Sequence, residues 1–182
     1  MRTGFYAGRW GAMAAVLGGL LLVSPALRAA PPVEDRFAGE IVVLRKRAPA
    51  RFRNQAAFAD FLRQYRSKRL VADRSNAKRW TIEFMAFFKR PVDDFEVKVK
   101  FFDITKGRVF VAGDSILTSA RGQRILATSM ALEGPTFAAK RRYQMYLVDA
   151  RGVALASAQF ELDGETERYS GHVEFSDADA AQ

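Results

Sequence analysis

The stretch from Val109 to Ser119 contains a side chain that hydrolases use as a nucleophile, the serine of Gly113-Asp114-Ser115. A serine hydroxyl attacks a substrate efficiently only when a base removes its proton and hydrogen-bond donors stabilise the oxyanion. The sequence offers one imidazole for this task, that of His172. Ester hydrolysis at Ser115 is therefore one hypothesis, and it requires a fold that brings these two side chains together.

The block Gly113-Asp114-Ser115-Ile116-Leu117 resembles the nucleophile block of the GDSL-type (SGNH) esterases, from which it departs at Ile116. The resemblance implies an α/β domain in which the serine lies between a strand and a helix, with a late histidine in an Asp-x-x-His pattern. In this chain β-prone residues follow Ser115, and Tyr169 stands three residues before His172. The sequence has no Gly-x-Asn-Asp block for an oxyanion hole. The pattern therefore favours Ser115 as a strand or turn residue, and we predict no catalytic residue.

Two groups of acidic residues could supply the pair of carboxylates that glycosidases use. They are Asp93, Asp94 and Glu96, and Glu161, Asp163, Glu165 and Glu167. Both groups stand at predicted turns beside Pro91 or Gly164, where solvated side chains explain them without further assumption. The second group lacks the spacing of a calcium loop, and a single histidine without cysteine does not make a zinc site. We predict no metal and no cofactor, and a hydrolase stays an alternative.

Basic residues occur in clusters that predict an anion-binding surface. The densest cluster is RKRAPARFR at 45–53, and a second cluster is Lys140-Arg141-Arg142. If these residues meet in space, they form one surface for a polyanion; in the alternative interpretation they are solvated side chains that favour solubility. The candidate binding residues are Arg45, Lys46, Arg47, Arg51, Arg53, Arg63, Arg66, Lys140, Arg141 and Arg142.

The first thirty residues predict an export signal. Arg2 and Arg9 precede the uncharged apolar run Gly11–Val23, and Pro25 interrupts the pattern before the small residues Ala29-Ala30. We place the cleavage after Ala29, which predicts a periplasmic or extracellular protein without a membrane span after processing. The rival interpretation is an uncleaved anchor, although the apolar run is shorter than the roughly 20 residues that a spanning helix needs.

The elements that must position these side chains follow from two periodicities. Asn54 is a suitable N-cap, and Phe58, Phe61, Leu62 and Tyr65 follow it at the spacing of one helix face. This spacing predicts an amphipathic helix over about 54–67. From Trp80 onward apolar residues alternate with other residues, and short runs are separated by turn residues such as Gly107 and Gly152. We predict a mainly β protein, an antiparallel β-sandwich with an N-terminal strand; an immunoglobulin-like arrangement is the first choice, and another sandwich or small barrel the second.

The domain organisation predicted from these patterns is simple. It consists of a signal peptide at 1–29, a flexible leader at 30–39, one β-sandwich domain at 40–175 and a disordered acidic tail at 176–182. Loss of the three signal arginines leaves 26 Lys+Arg against 20 Asp+Glu, a net charge of +6. That mild excess does not indicate a nucleic-acid partner, and the absence of cysteine excludes disulfides and thiol chemistry.

The function that these observations predict is binding. We expect an exported, non-catalytic binding or assembly module that contacts an envelope protein or an anionic envelope polymer. Besides the hydrolase, a small-ligand carrier with a pocket between the helix and the sheet is an alternative.

Overall fold

The computed structural model describes residues 31–73 and 75–164, and this part of the chain forms two β-sheets and two helices. The elements in chain order are α1 (Val33–Arg36), β1 (Ile41–Leu44), α2 (Gln55–Tyr65), β2 (Arg69–Val71), β3 (Arg79–Val92), β4 (Glu96–Asp103), β5 (Val109–Leu117), β6 (Gln123–Glu133), β7 (Arg141–Val148) and β8 (Ala154–Asp163). The predicted signal peptide, residues 165–175 of the predicted β-sandwich domain and the predicted acidic tail lie outside the described residues.

The strands form a three-stranded sheet in the order β1-β3-β6 and a five-stranded sheet in the order β2-β8-β7-β4-β5. All neighbouring strands are antiparallel except β2 and β8, which pair in parallel. The predicted mainly β, sandwich-like architecture is therefore confirmed, with one parallel pair added at the edge. The immunoglobulin-like arrangement stays a prediction.

β3 supplies side chains to two separate layers because alternate residues of a strand point to opposite faces. Trp80, Ile82 and Phe84 belong to the apolar core between the two sheets. Met85 and Phe87 belong to a second apolar cluster, on the other face of the three-stranded sheet, where they pack with side chains of α2. The fold thus has three layers, with α2 outside the three-stranded sheet and the five-stranded sheet uncovered by α2.

α2 forms where the sequence predicts a helix. The Asn54 side chain accepts a hydrogen bond from the backbone N–H of Ala57 at 2.8 Å, which satisfies one of the free donors of the first turn. Phe58 and Leu62 are buried on the face of α2 that packs against the second cluster. The apolar stripe read from the sequence is therefore the face that attaches the helix to the sheet.

Some elements differ from their predicted form. β5 runs without interruption through Gly113 and Asp114, which pair with Lys100 and Val99 of β4, so Ser115, predicted as a strand or turn residue, lies within one continuous strand. β2 has three residues, which are too few to show the alternation of apolar and polar residues that predicts a strand. Its position in the sheet comes from pairing with β8. The segment predicted as a flexible leader contains α1, whose Val33 is buried in the second cluster.

Candidate functional site

The densest basic cluster lies on the β1–α2 loop, residues 45–53. The backbone N–H of Arg45 donates to the Tyr65 carbonyl at 2.9 Å, and the Lys46 ammonium lies 5.5 Å from the centroid of the Tyr65 ring. At the other end of the loop, the Phe52 ring stacks on Phe58 with 4.5 Å between centroids. Contacts to both ends of α2 therefore hold this loop on the folded domain.

A cavity of about 550 Å³ separates the β1–α2 loop from the outer face of the three-stranded sheet. Arg47 and Arg51 line it from the loop, and Glu83 is the one acid among its lining residues. The larger apolar side chains of the lining are those of Leu44, Phe52, Phe58, Met85 and Ile125. A group that combines negative charge with an apolar portion matches this mixture of side chains.

The candidate cations differ in whether an acid neutralises them. Arg63 pairs with Asp60, and Arg66 pairs with Glu40, so these two arginines of the α2 region have carboxylate partners. In contrast, within residues 31–73 and 75–164 no ion pair reaches the exposed cations of the loop. These loop cations are Arg45, Lys46, Arg47, Arg51 and Arg53. The loop therefore presents its charge to solvent, whereas the helix face has much of its charge neutralised.

The second basic cluster belongs to the five-stranded sheet. Lys140 donates its backbone N–H to the Leu162 carbonyl at 2.6 Å and precedes β7, while Arg142 lies opposite Glu161 in the β7–β8 register. Lys140 and Arg141 line a separate cavity of about 580 Å³ together with Asp103. The loop cluster and this cluster thus line two different cavities, one beside each sheet.

Asp103 organises the second cluster. Its buried carboxylate accepts hydrogen bonds from the backbone N–H of Thr105 at 2.8 Å and from Arg141 Nη1 at 2.7 Å. Burial acts to raise the pKa of Asp103, but these hydrogen bonds and the positive charge of Arg141 outweigh it, so the pKa lies below its ordinary value. Arg141 is therefore held by a partner that stays ionised at neutral pH.

Ser115 lies in the exposed edge strand β5, opposite Lys98 of β4. Its backbone N–H donates to the Asp114 carboxylate at 2.7 Å. The residue is therefore within a strand rather than at the strand-to-helix turn that the esterase resemblance implies. His172, the imidazole of that hypothesis, lies outside the described residues.

The acidic residues considered for a glycosidase are spread along strand ends. Asp93 and Asp94 are exposed in the β3–β4 turn and Glu96 begins β4, while Glu161 lies 3.8 Å from the guanidinium of Arg69. Glu165 and Glu167 lie outside the described residues. In the part of the chain that is described, no group of three or more histidine, cysteine, aspartate or glutamate side chains could hold a metal ion.

The outer face of the five-stranded sheet contains a surface that sequence reasoning missed. The Phe102 ring contacts the rings of Phe110 and Tyr146 there, and the Arg108 guanidinium lies over Phe102 and Tyr146. The alternation of β4 indicated that Phe102 shares a face with charged residues, which is the signal that pointed to it. Phe110 could not be assigned to that face, because its position depends on a register shift between Phe101 and Phe102.

In comparisons with known proteins, the chain matches no family model and no curated protein sequence. Neither helix of the described segments combines the length and the apolar composition that crossing a bilayer requires.

Proposed function

We propose that this chain is an exported, non-catalytic binding module that docks on an anionic polymer of the cell envelope through the β1–α2 loop. The observation that supports the proposal is the set of five exposed cations on a loop that is attached to α2, none of them paired with an acid among the described residues. The predicted export signal motivates the location, and the basic loop motivates the class of partner.

The expected strength of this docking follows from the exposure of the loop cations. An exposed ion pair contributes about 0.2–1 kcal/mol, so five such contacts supply at most about 5 kcal/mol and a dissociation constant no tighter than roughly 0.1 mM for one polymer segment. Repeating charges along a polymer raise the observed affinity by keeping further sites close. Binding should therefore be weak for short oligomers, stronger for long chains and reduced by salt.

The test compares two variants that lose the same charge. One carries Arg47→Gln, Arg51→Gln and Arg53→Gln in the loop; the control carries Lys78→Gln, Arg90→Gln and Arg151→Gln at exposed positions elsewhere. Fluorescence anisotropy with labelled polygalacturonate at low salt should show a weaker affinity for the loop variant and near-normal affinity for the control. Neutral dextran should not bind. Equal affinities of the two variants would contradict a docking site in the loop.

The protein-partner form of the binding module would use the outer edge of β5. Among residues 31–73 and 75–164, β5 is the last strand of the five-stranded sheet, and its side chains Val109, Phe110 and Leu117 are more than half exposed. A partner segment in extended conformation could add to this edge through backbone hydrogen bonds. The Ser115 N–H donates to the Asp114 carboxylate, so a partner strand would have to displace that carboxylate to use this donor. Replacing Ser115 with proline removes the donor, and loss of a crosslinked partner in that variant, with the loop intact, would favour this form.

A small-ligand carrier is the second candidate, because the cavity of about 550 Å³ beside Arg47 and Arg51 has an apolar lining. A carrier would hold an anionic amphiphile with its charged group at the arginines and its apolar part against Phe58 and Met85. Native mass spectrometry of the purified chain should then show a co-purified ligand that is lost when Arg47→Gln and Arg51→Gln remove the charges at the cavity. A ligand-free wild-type protein that is not stabilised by added fatty acid would exclude this candidate.

The proposal also predicts that Ser115 is not a nucleophile. Replacing Ser115 with alanine should leave any hydrolysis of small ester probes by the purified chain unchanged. Covalent labelling of Ser115 by a fluorophosphonate would instead support the esterase hypothesis.

A further inference from the structure

The outer face of the five-stranded sheet presents cations and rings in register. Along β4, Val97, Val99 and Phe101 are buried between the sheets, so the alternate residues point to the other face. The outward residues are Lys98, Lys100 and Phe102. Among the described residues no acid forms an ion pair with Lys98, Lys100 or Arg108. This face therefore has unneutralised positive charge next to an aromatic ring.

Three aromatic rings from three strands meet at one end of this face. The Phe102 centroid lies 5.7 Å from that of Phe110 and 5.8 Å from that of Tyr146, both in edge-to-face geometry. The Arg108 guanidinium carbon lies 4.3 Å from the Phe102 centroid and 5.2 Å from the Tyr146 centroid. Arg108 thus occupies the space over two of the rings, while Phe110 remains 58% exposed.

A bare strip of backbone continues from the Phe110 ring. Gly113 lies opposite Lys100, and Ser115 lies opposite Lys98, so both are on the same face as the lysines. A Cβ atom added to Gly113 would stand 3.6 Å from Cζ of Phe110, in ordinary contact with the ring edge. Gly113 and Ser115 are exposed, so this strip is bounded at one end by the Phe110 ring, and Lys98 and Lys100 occupy the cross-strand positions beside it.

We propose that this strip, defined by Phe110, Gly113, Ser115, Lys98 and Lys100, binds an acidic polysaccharide. The apolar C–H face of a sugar ring stacks on the exposed face of Phe110, and uronic acid carboxylates reach the lysines. Sugar hydroxyls meet neutral hydrogen-bonding side chains on the same face. Those side chains are Ser115, Gln144, Ser157 and Gln159.

The arrangement favours a sugar polymer over a single-stranded nucleic acid for a steric reason. Nucleic-acid platforms stack successive bases on successive free rings. Here Arg108 covers Phe102 and Tyr146, so Phe110 is the ring of this cluster that offers an open face. One open ring beside two free ammonium groups matches a single sugar unit with a carboxylate, whereas consecutive bases would lack a second ring.

The inference goes beyond the proposed function, because it concerns the sheet that α2 leaves uncovered and not the β1–α2 loop. The two surfaces can therefore be tested separately in one experiment. The starting protein carries Arg47→Gln, Arg51→Gln and Arg53→Gln, so that binding by the loop is removed. Phe110→Ala is then added, and Phe95→Ala serves as the matched control, because Phe95 is a 57% exposed phenylalanine outside the strip.

The probes are oligogalacturonate, a neutral dextran oligomer and oligothymidylate, each titrated at low salt by calorimetry or by chemical-shift changes. We expect the loop variant to bind oligogalacturonate but neither dextran nor oligothymidylate. Adding Phe110→Ala should weaken the binding of oligogalacturonate about fivefold or more, whereas adding Phe95→Ala should leave it unchanged. Adding Lys98→Gln and Lys100→Gln to the Phe110→Ala variant should weaken the binding of oligogalacturonate further. Circular dichroism confirms that each variant is folded.

Three results would overturn the inference: loss of all oligogalacturonate binding in the loop variant, equal affinities of Phe110→Ala and Phe95→Ala, or tighter binding of oligothymidylate. The first of these would leave the proposed function of the loop supported. If the loop variant binds like wild type but loses affinity on adding Phe110→Ala, the result would contradict docking at the loop and support binding at the strip.

Discussion

Replacing Asp103 with asparagine should destabilise the chain in a pH-dependent way. The carboxylate is 12% exposed and accepts hydrogen bonds from Thr105 and Arg141 at opposite oxygens, while the Arg141 side chain is 56% exposed. Asparagine keeps an oxygen for the Thr105 N–H but presents an amide NH₂ where Arg141 needs an acceptor. The substitution therefore removes the charged pair while preserving the shape of the turn between β4 and β5.

The size of the stability loss depends on which partner of the Asp103–Arg141 pair is buried. A hydrogen bond to a charged group contributes about 1.5–3 kcal/mol, and the exposure of Arg141 lowers this value because water replaces the lost partner. We expect Asp103→Asn to lower the free energy of unfolding at pH 7 by about 1–2 kcal/mol. Asp103→Ala should lower it by about 1 kcal/mol more, because the Thr105 N–H also loses its acceptor.

The sign of the pH dependence is set by the lowered pKa of Asp103. In the unfolded chain the pKa is about 3.9, so the folded state binds the proton less tightly and the pair stabilises folding above that pH. The contribution is lost as the pH falls through the lower folded pKa. Urea unfolding of wild type and Asp103→Asn should thus give a constant difference from about pH 6 to 8 that shrinks below about pH 4.

The control for this series is Asp93→Asn, which changes the same chemical group at an exposed position in the β3–β4 turn. Its free energy of unfolding at pH 7 should differ from wild type by less than about 0.5 kcal/mol. The reasoning is refuted if Asp103→Asn is as stable as wild type at pH 7, or if the difference between them grows toward acidic pH.

Two further substitutions test the packing and the backbone, both by urea unfolding. Phe87 is 0% exposed between the three-stranded sheet and α2, so Phe87→Ala should cost about 3–5 kcal/mol, whereas Phe110→Ala, which removes one ring contact at an exposed position, should cost at most about 1.5 kcal/mol. Lys140 has a φ of 60°, a conformation that costs a residue with a Cβ about 1–2 kcal/mol. Lys140→Gly should therefore stabilise the chain by up to about 1 kcal/mol, and Lys140→Val should destabilise it. Similar losses for the two phenylalanines, or a destabilised Lys140→Gly, would contradict these assignments.

The sequence could predict which residues share a face, but it could not predict what covers that face. Phe87 and Phe102 both occur at the less apolar parity of their strands, and this parity is compatible with either a second packed layer or an exposed contact patch. In the structure Phe87 packs under α2, whereas Phe102 contacts Arg108 and two other rings. The two phenylalanines differ because α2 packs over Phe87 and not over Phe102. The periodicity of a strand carries no information about where a distant helix packs.

The candidate binding residues illustrate the same limit for charge. Counting basic residues identified Arg63 and Arg141 as readily as Arg47, because a sequence position does not show its ion-pair partner. The structure pairs Arg63 with Asp60 and Arg141 with Asp103, so these arginines differ from those of the loop. Asp103, which lies 38 positions from Arg141, had no sequence signal that linked the two.

The layer order of the fold has a consequence for the two proposed surfaces. α2 covers the three-stranded sheet, and the loop that precedes α2 lies on that side; the strip at Phe110 lies on the outer face of the five-stranded sheet, beyond the inter-sheet core. Because the core separates the two surfaces, a polymer on one leaves the other free. A module of this kind can hold two polymer segments at once, and its avidity then depends on both being intact. We therefore expect the loop variant and Phe110→Ala each to reduce crosslinking of polymer chains while leaving binding at the other surface in place.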